Sequence, residues 1–339
     1  MNTTDARISI QAAMRDAFPQ AEARVARFYQ MQEYQLGWRD PQLGTANEDP
    51  GKLLRPRLAL MACRAAGGDP ARALPLAAAI QLIHDFSLIH DDIEDNSDMR
   101  RGRPTVWTLW GLAQGINTGD GMFVVAHLAV HRLTEMGVAP EVVLEVLKRF
   151  DQTILTICEG QFLDLSYEGN LAISEEDYLA MIGRKTAALV AAAAGLGAII
   201  GGADVSTARA LFDFGEHIGL AFQIQDDVLG IWGDPEVTGK PFAADIYRRK
   251  LSLPVVRTLA TTAARADLVA IYQRATLTDS DVRRTLDILD DVGARGYTEG
   301  VAAYHHSRAL AALDAVSAGD PAAITSMRAI AEGLVDRQK

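Results

Sequence analysis

Residues 77–95 read AAAIQLIHDFSLIHDDIED and contain neither Pro nor Gly. Apolar residues recur in this stretch at helical spacing, which predicts one α-helix. Asp91 and Asp95 are four residues apart, so their carboxylates lie on one face of that helix, about 6 Å apart along its axis. Like charges so close repel each other unless a cation lies between them. Because a carboxylate-bound Mg²⁺ usually completes its shell with waters and substrate phosphates, the stretch predicts a site for a metal ion and a phosphate.

The composition is that of an acidic globular chain. Its 339 residues are 49% hydrophobic and carry a formal net charge of -11, which indicates a substantial core and excludes a general surface for nucleic acid or anionic membranes. Cys63 and Cys158 have no metal-ligand spacing and are too few for a disulfide scaffold, so we expect a cytoplasmic protein with both cysteines in the core. Near the N-terminus no basic segment precedes an apolar run, so we expect no signal peptide.

Helical periodicity extends over most of the chain, and no stretch shows the sustained alternation or the hairpin dipeptides of strands. The sequence therefore predicts an all-α fold, with a cationic loop at 96–104. The predicted helices cover, approximately, residues 1–34 with a break at Pro19, 52–66, 77–95, 118–136, 140–166, 174–201, 206–229, 253–262, 279–293, 300–317 and 320–336.

No linker or internal repeat divides the chain, so we predict one domain over residues 1–339, with 1–50 as an N-terminal helical extension that packs on the bundle. The longest candidate for a membrane span is 187–202, AALVAAAAGLGAIIGG, and it is shorter than the ~20 residues that a bilayer core requires. We predict instead a buried helix whose small side chains let neighbouring helices approach closely.

A second acidic stretch, 223–227 (QIQDD), lies in the apolar context GLAFQIQDDVLGIWGD. Burying Asp226 and Asp227 there is unfavourable unless a metal ion or hydrogen bonds compensate. Asp226 follows Asp91 by 135 positions, so these acids would have to meet the first set across the interior of a helical bundle. Two apolar helices that each carry adjacent aspartates are a specific signal for a metal site.

Cations accompany both acidic stretches. Arg suits bidentate recognition of phosphate, and Lys suits a single contact. The cations concerned are Lys52, Arg55, Arg100, Arg101, Lys185, Lys240 and Lys250. The segment TGK at 238–240 lacks the upstream glycines of a P-loop, so nucleotide binding is not indicated.

Several motifs in residues 51–254 resemble, in the right order, those of the trans-type polyprenyl diphosphate synthases. They are 51–56 (GKLLRP, resembling GGKRxRP), 91–95 and 100–102 (DDIED and RRG, resembling DDxxD with its RRG), 160–164 (GQFLD, resembling GQxxD), 184–186 (RKT, resembling the KT pair), 222–227 (FQIQDD, resembling FQxxDD) and 239–241 (GKP) with Asp245 and Lys250. The resemblance implies a single large helical bundle around a central cavity, and a homodimer.

The same resemblance implies Mg²⁺-dependent condensation of isopentenyl diphosphate with an allylic diphosphate (dimethylallyl, geranyl or farnesyl). A cluster of three Mg²⁺ ions would be bound by Asp91, Asp95 and Asp226, with Asp92 and Asp227 supporting waters. The allylic diphosphate would be held by Arg100, Lys185 and Lys240, and isopentenyl diphosphate by Lys52, Arg55, His84 and Arg101. The reaction centre would be lined by Gln161, Thr186 and Gln223, and a flexible stretch that closes over it would carry Lys250.

Two positions depart from the family pattern. Leu53 stands where many members have Arg, although Lys52 and Arg55 are present. Gly230 stands where the second aspartate-rich motif has its third Asp. Because that third Asp does not usually bind metal directly, we expect weaker organisation of the metal site and not loss of activity.

Residues just before the first DDxxD form the floor of the product cavity in this family. Phe86 lies five residues before Asp91, which is about 7–8 Å of helix rise, and Ser87 beside it is small. One ring with a small neighbour resembles synthases that stop at geranylgeranyl diphosphate. A farnesyl or geranylfarnesyl product is the alternative.

Three rival functions are weighed against this one. A class I terpene cyclase shares the helical cavity, but its second metal motif is normally of the Asn/Ser/Glu type and it has no use for the isopentenyl diphosphate residues. A non-catalytic partner subunit is expected to lose metal ligands, and these are intact. A di-iron bundle needs Glu-x-x-His pairs, and no Glu in this sequence has a His three residues later.

Overall fold

The computed structural model describes residues 3–49, 51–238, 241–316 and 319–335. These residues are predominantly helical, which confirms the predicted all-α class. The helices are, in chain order, α1 (Thr3–Ala17), α2 (Ala26–Gln35), α3 (Leu54–Ala65), α4 (Leu74–Glu94), α5 (Val106–Trp110), α6 (Leu112–His131), α7 (Pro140–Tyr167), α8 (Glu175–Ile182), α9 (Ala188–Ile200), α10 (Val205–Trp232), α11 (Pro235–Thr238), α12 (Ala244–Tyr247), α13 (Leu253–Leu259), α14 (Thr262–Tyr272), α15 (Asp279–Asp291), α16 (Ala294–Asp314) and α17 (Pro321–Val335).

Helix α4 carries the first aspartates. Pro75 stands in its first turn, where the missing N–H is tolerated, and neither Pro nor Gly follows before the helix ends. Residues 76–83 are nearly all apolar, and all of their side chains are buried. The helix ends with Asp95 as its C-cap, whose backbone N–H donates to the carbonyl oxygen of Asp91 at 2.8 Å. The aspartates therefore occupy the last turn of an otherwise buried helix.

The chain folds into two compact units. The first contains the described residues of Met1–Asp151, Ala193–Ala208 and Ser317–Ala323, and the second contains those of Gln152–Ala192, Arg209–Val316 and Ile324–Lys339. The expectation of one domain, which rests on the absence of a linker or repeat in the sequence, stays a prediction.

In the first unit, α4 packs against α1, α3 and α6. The C-terminal part of α9 approaches α3 so closely that a methyl group at Gly197 would lie 2.9 Å from the backbone Cα of Ala59. Only a residue without a side chain fits between the two backbones. This close approach confirms the role predicted for the small residues of the Ala-rich segment.

A two-stranded antiparallel ribbon follows α4, formed by β1 (Met99–Arg100) and β2 (Arg103–Pro104). Its two-residue turn consists of Arg101 and Gly102, with φ of 51° and 76°, and two positive φ angles are what a tight hairpin turn requires. The ribbon is tied to α2, because Tyr34 donates its hydroxyl to the carbonyl oxygen of Pro104 at 2.6 Å and Arg103 donates to that of Tyr34 at 2.9 Å.

Two apolar clusters lie in the core among the described residues of the second unit. One includes Ile231, Leu268 and Leu289 and joins α10 to α14 and α15. The other includes Tyr178, which lies on α8, and Ile224, which lies on α10. The second cluster therefore packs directly beside the residues of the second aspartate-rich motif.

The observed limits differ from the predicted ones in several places. The predicted loop 96–104 contains the short ribbon, whose strands are too short to show alternation. The break after α1 extends from Phe18 through Val25 before α2 begins. Helix α6 begins at Leu112, earlier than predicted, and α5 precedes it. Helix α14 was not predicted, because its sequence, TAARADLVAIY, has few large apolar residues. The predicted helix 174–201 is interrupted by a π-helical turn at Gly183–Ala187.

Two helical stretches are long and apolar enough to cross a membrane by length and composition alone, Pro70–Glu94 and Glu175–Ile200. In their most apolar windows, 67% and 56% of the residues are buried within the protein, as in the core helix of a water-soluble fold, so they are weak evidence for a span. Of the two cysteines, Cys63 is buried as predicted, whereas Cys158 is exposed and the expectation that it lies in the core is wrong.

Candidate active site

The first aspartate-rich motif presents its carboxylates at the end of α4. Asp92 is only 1% exposed, and its Oδ1 accepts a hydrogen bond from Nε of Arg100 at 2.7 Å. Burial raises the pKa of Asp92, and the charge of Arg100 opposes that rise. Asp91 is half-buried and Asp95 is exposed. The motif therefore directs one carboxylate inward, where it holds a cation, and keeps the two predicted metal ligands nearer the surface.

The ribbon after α4 places the two predicted phosphate-binding arginines. Arg100 lies on β1 and turns back to Asp92, while Arg101 occupies the tight turn and is exposed. The RRG motif therefore has a structural reason in this chain, because its second and third residues form the positive-φ turn. Adjacent arginines consequently have different surroundings.

The predicted isopentenyl diphosphate residues Arg55 and His84 come together in the first unit. Nη1 of Arg55 lies 3.5 Å from Nε2 of His84. Burial, followed by the charges of Arg55 and Arg101, holds the pKa of His84 well below its usual value, so the imidazole is neutral. Burial lowers the pKa of Arg55 to about 10, which leaves it protonated at neutral pH. Next to His84, Asp85 accepts a hydrogen bond from Gln81 at 2.8 Å.

Lys52 and Leu53 of the GKLLRP motif differ in exposure. Lys52 is exposed, as expected of a cation predicted to bind an anionic ligand. Leu53, which replaces the family's Arg, has φ of 44° as the N-cap of α3, and only 4% of it is exposed. Leu53, where many family members have Arg, is thus an apolar residue of the core.

The second motif centres on the fully buried Asp227. Its Oδ2 accepts hydrogen bonds from the hydroxyl of Tyr178 and from the backbone N–H of Leu253, the latter at 3.2 Å. Its Oδ1 accepts from Nε2 of Gln223 at 3.3 Å and lies 3.5 Å from Nζ of Lys250. Burial raises the pKa of Asp227, and Lys250 is the main group that opposes the rise. Because four protein groups surround this carboxylate, its position is fixed without a metal ion.

Asp226, the neighbouring predicted metal ligand, is half-buried on α10. The hydrogen bonds of Gln223 extend the network toward the predicted reaction centre. Thr186 donates its hydroxyl to Oε1 of Gln223 at 3.1 Å, so the orientations of both side chains depend on Asp227.

Lys185 and Thr186 both lie on the π-helical turn Gly183–Ala187, and π-helical turns inside α-helices occur frequently at functional sites. Nζ of Lys185 lies 2.5 Å from Oδ2 of Asp164, the last residue of GQFLD. A methyl group at Gly160 would lie 2.7 Å from Cα of Lys185. The missing side chain at Gly160 thus lets α7 pack directly on the turn that carries Lys185, and Gln161 follows it on α7, half-buried.

Lys250 lies between two carboxylates of the second unit. Its Nζ is 3.5 Å from Asp227 and 3.7 Å from Oδ2 of Asp245. Burial alone would lower the pKa of Lys250, but the charges of Asp227, Asp245 and Asp226 outweigh it and raise the pKa above its usual value. Lys240, predicted to hold the allylic diphosphate, lies outside the described residues.

The predicted floor residues lie on α4 one to two turns before the aspartates. The ring centroid of Phe86 is 4.9 Å from that of His90 and 5.4 Å from that of Phe123 on α6. Ser87 donates its hydroxyl to the carbonyl oxygen of His84 at 2.9 Å, so it occupies little space beyond its own helix. The ring of Phe123 thus packs against the ring of Phe86.

Sequence reasoning missed four residues that touch this machinery. Tyr178 and Asp85 are ordinary residues of apolar helices, and Phe123 and Asp164 meet their partners only through tertiary packing. Of these, only Asp164 carried a signal, as part of GQFLD.

The carboxylates of the first motif suit Mg²⁺ bound partly by waters and substrate phosphates. Within the part of the chain that the structure describes, no group of three or more His, Cys, Asp or Glu side chains has the arrangement of a metal site. A Mg²⁺ ion that relies on one or two carboxylates, waters and substrate phosphates does not need such a group. The half-buried Asp91 and the exposed Asp95 on one helical face fit that kind of binding.

An all-α fold whose helices carry two separated aspartate-rich motifs, each accompanied by cations, defines the class of the all-α prenyltransferases. The chain belongs to the polyprenyl synthetase family, whose model matches residues 42–289.

Individual relatives agree with this assignment. The chain is 41% identical over 300 residues to a geranylgeranyl diphosphate synthase of Mycobacterium tuberculosis, with 88% of this chain and 85% of that protein covered. It is 36% identical over 311 residues to a (2E,6E)-farnesyl diphosphate synthase of Mycobacterium bovis, with 90% and 85% covered. Its fold is similar to the crystal structure of a polyprenyl synthetase from Streptomyces coelicolor A3(2), with a TM-score of 0.89, 34% identity and 98% of each chain covered.

Proposed function

We propose that this prenyltransferase is a Mg²⁺-dependent synthase that condenses isopentenyl diphosphate with an allylic diphosphate to a short-chain all-trans prenyl diphosphate, geranylgeranyl diphosphate. The observation that carries the proposal is the pairing of predicted diphosphate-binding cations with carboxylates, Arg100 with Asp92 and Lys185 with Asp164. Such charge-assisted pairs are short and strong, so they fix the position of each cation.

The two substrates are assigned to different sets of residues. Isopentenyl diphosphate is held by Lys52, Arg55 and Arg101, with the neutral His84 beside Arg55 as a hydrogen-bonding partner. The allylic diphosphate is held by Arg100, Lys185 and Lys240. Metal ligation is assigned to Asp91, Asp95 and Asp226, and Asp92 and Asp227 position their surroundings through the hydrogen bonds described above.

The chemistry follows from this assignment. The allylic carbon–oxygen bond breaks, and diphosphate leaves with the electron pair. The double bond of isopentenyl diphosphate then attacks the allylic carbon, and a proton is lost from the resulting cation to the released diphosphate. Bound Mg²⁺ supplies neutralisation of the diphosphate charge. The hydroxyl of Thr186, which donates to Gln223, is assigned to stabilisation of the allylic cation, and Gln161 is assigned to the same centre.

The product length rests on Phe86 and Ser87. A ring beneath the aspartates, backed by Phe123, limits how far a growing chain extends along α4. The relatives are named for products of different length, so farnesyl and geranylfarnesyl diphosphate are the competing products. A terpene cyclase on the same fold is the competing reaction.

A cytoplasmic homodimer is also proposed. Helix α6 exposes large apolar residues four or eight positions apart, Leu112, Ile116, Val124 and Leu128, each more than 40% exposed. Exposed apolar residues in this number mark a surface for a partner. Light scattering on the purified protein, compared with an Ile116→Asp, Val124→Asp double variant, tests this: a wild-type monomer contradicts the homodimer.

The decisive experiment incubates the purified protein with Mg²⁺, isopentenyl diphosphate and each allylic primer separately, followed by mass spectrometry of the products. Consumption of isopentenyl diphosphate with accumulation of geranylgeranyl diphosphate is expected. Cyclic hydrocarbon formed from geranylgeranyl diphosphate without isopentenyl consumption would instead establish the cyclase. Asp91→Ala is expected to lower turnover at least ~100-fold, whereas Asp98→Ala, at an exposed position outside the motif, serves as the matched control. Near-normal turnover of Asp91→Ala contradicts the metal assignment.

A further inference from the structure

A chain of hydrogen bonds runs through the second unit, with Tyr178 at one end and Thr186 at the other. Tyr178 is only 1% exposed, and its hydroxyl bonds to Oδ2 of Asp227. Oδ1 of the same carboxylate bonds to Nε2 of Gln223 at 3.3 Å, and Oε1 of Gln223 bonds to the hydroxyl of Thr186 at 3.1 Å. The chain thus joins a buried tyrosine to the hydroxyl assigned to the allylic cation.

The direction of these hydrogen bonds follows from the groups around Asp227. The backbone N–H of Leu253 lies 3.2 Å from Oδ2, and the ammonium group of Lys250 lies 3.5 Å from Oδ1. Both groups can donate and cannot accept, so they favour the ionised carboxylate, which can only accept. The hydroxyl of Tyr178 and the amide nitrogen of Gln223 are therefore donors to Asp227.

The orientation of the Gln223 amide decides the direction at the far end of the chain. The reversed amide would place its oxygen against the carboxylate of Asp227, and the two would repel. With Nε2 turned to Asp227, Oε1 faces Thr186 and can only accept, so the hydroxyl proton of Thr186 is directed at Gln223. The lone pairs of that hydroxyl remain for another partner. A developing allylic cation is stabilised by an oxygen that presents lone pairs to it.

Tyr178 is suited to hold one end of this chain. Burial, followed by the charge of Asp227, raises the pKa of Tyr178 well above its usual value, so the phenol keeps its proton at neutral pH. Tyr178 lies on α8, before the π-helical turn, and Thr186 lies in the turn. Asp227 lies on α10. The hydrogen bonds therefore attach α8 and the turn to the same helix.

We propose that Tyr178 is a positioning residue for prenyl transfer: it holds the carboxylate of Asp227 so that, through Gln223, Thr186 presents lone pairs and not its proton to the allylic cation. The inference rests on the proposed function for the presence of that cation. The direction of the hydrogen bonds rests only on which groups can donate and which can accept.

A double-mutant cycle tests the proposal. Tyr178→Phe removes one hydroxyl, Thr186→Val removes the hydroxyl at the other end with little change in shape, and the double variant combines them. Tyr272→Phe is the matched control, because Tyr272 is a tyrosine of the same unit that is 5% exposed and whose hydroxyl has no hydrogen-bond partner among the described residues. The measurements are kcat, KM for each diphosphate and the midpoint of urea unfolding.

Thr186→Val is expected to lower kcat about 100-fold, as loss of a group that stabilises transition-state charge does. Tyr178→Phe is expected to lower kcat about 10- to 100-fold through misplacement of that group. Its KM values should change less than about twofold, because Tyr178 bonds to Asp227 and not to a cation. In the Thr186→Val background, Tyr178→Phe should change kcat less than about twofold, since the hydroxyl that it positions is already absent. Tyr272→Phe should keep the wild-type kcat.

Two results overturn the proposal. One is a wild-type kcat in Tyr178→Phe, and the other is the same loss of kcat on adding Tyr178→Phe to the wild type and to Thr186→Val, which would show a structural role alone. If the wild-type protein transfers no prenyl group from any primer, the proposed function fails instead. The urea midpoints then still decide whether Tyr178 and Thr186 are linked, because a linked double variant loses less stability than the two single variants together.

Discussion

Nε of Arg100 lies 2.7 Å from Oδ1 of Asp92, whose side chain is only 2% exposed, while 31% of the arginine side chain reaches the surface. One residue thus neutralises a buried carboxylate while part of its own side chain remains exposed. The neighbouring Arg101 lies in the exposed turn of the ribbon. The two arginines of the RRG motif therefore differ in their contribution to the folded state.

Arg100→Gln is expected to lower the free energy of unfolding by about 3 kcal/mol, because it leaves Asp92 as a buried charge without its partner, and to raise KM for the allylic diphosphate. Arg101→Gln is expected to change stability by less than about 0.5 kcal/mol and to raise KM for isopentenyl diphosphate. Urea unfolding and initial rates with each substrate varied separately measure both effects. Equal destabilisation by the two substitutions would contradict the different roles assigned to these arginines.

Much of the fold follows from local sequence, and α4 shows why. Its composition and periodicity depend only on neighbours in the chain, so the helix and the shared face of Asp91 and Asp95 were predictable. The partner of Asp227 was not, because Tyr178 lies 49 positions away and is an unremarkable residue of its own helix. The π-helical turn at Lys185 was missed for a related reason, since its stability depends on packing against Gly160.

Phe86→Ala is expected to shift the product distribution toward longer chains, because it removes the ring proposed as the floor of the product cavity. Phe123 remains behind it at 5.4 Å between centroids, so the single substitution should extend the limit modestly, and Phe86→Ala with Phe123→Ala should extend it further. Mass spectrometry of the extracted products measures this. Tyr304→Ala, at an aromatic residue that is 59% exposed, controls for the loss of a ring, and an unchanged distribution in both Phe variants would refute the floor.

Asp85→Asn is expected to stabilise the protein in a pH-dependent way. Burial raises the pKa of Asp85 to about 6 from the usual 3.8. A folded pKa above the unfolded value gives stability that is fully present below about pH 4 and is lost as the pH rises through about 6. The stability difference between Asp85→Asn and the wild type should therefore grow over that window, to about 3 kcal/mol at neutral pH.

Urea unfolding at a series of pH values from 4 to 7 measures this difference for Asp85. Asp98→Asn, at an exposed position, controls for the change in net charge. A difference between Asp85→Asn and the wild type that stays constant across the series would show that Asp85 does not titrate in this window.

Gly160→Ala is expected to destabilise the protein by about 1–3 kcal/mol, the usual effect of overpacking, because its methyl group would lie 2.7 Å from Cα of Lys185. Displacing that turn should also raise KM for the allylic diphosphate. Gly296→Ala on α16 has open space at its Cβ, so it should gain up to about 1 kcal/mol from helix propensity. Urea unfolding compares the two, and a stabilised Gly160→Ala would show that α7 and the turn can separate freely.

The five residues Gly183–Ala187 wind as a π-helical turn and so contain one residue more than an α-helical path would use. That extra residue changes the rotational phase between α8 and the start of α9 by about 100°. Ala187, the last residue of the turn, and Ala191 after it contact Gly219 and Gly215 of α10, while before the turn Tyr178 donates to Asp227. Both contacts require the rotation that the extra residue of the turn introduces. Deletion of Gly183 would preserve Lys185 and Thr186 and still misalign them, so the length of this segment is as much a part of the site as its chemistry.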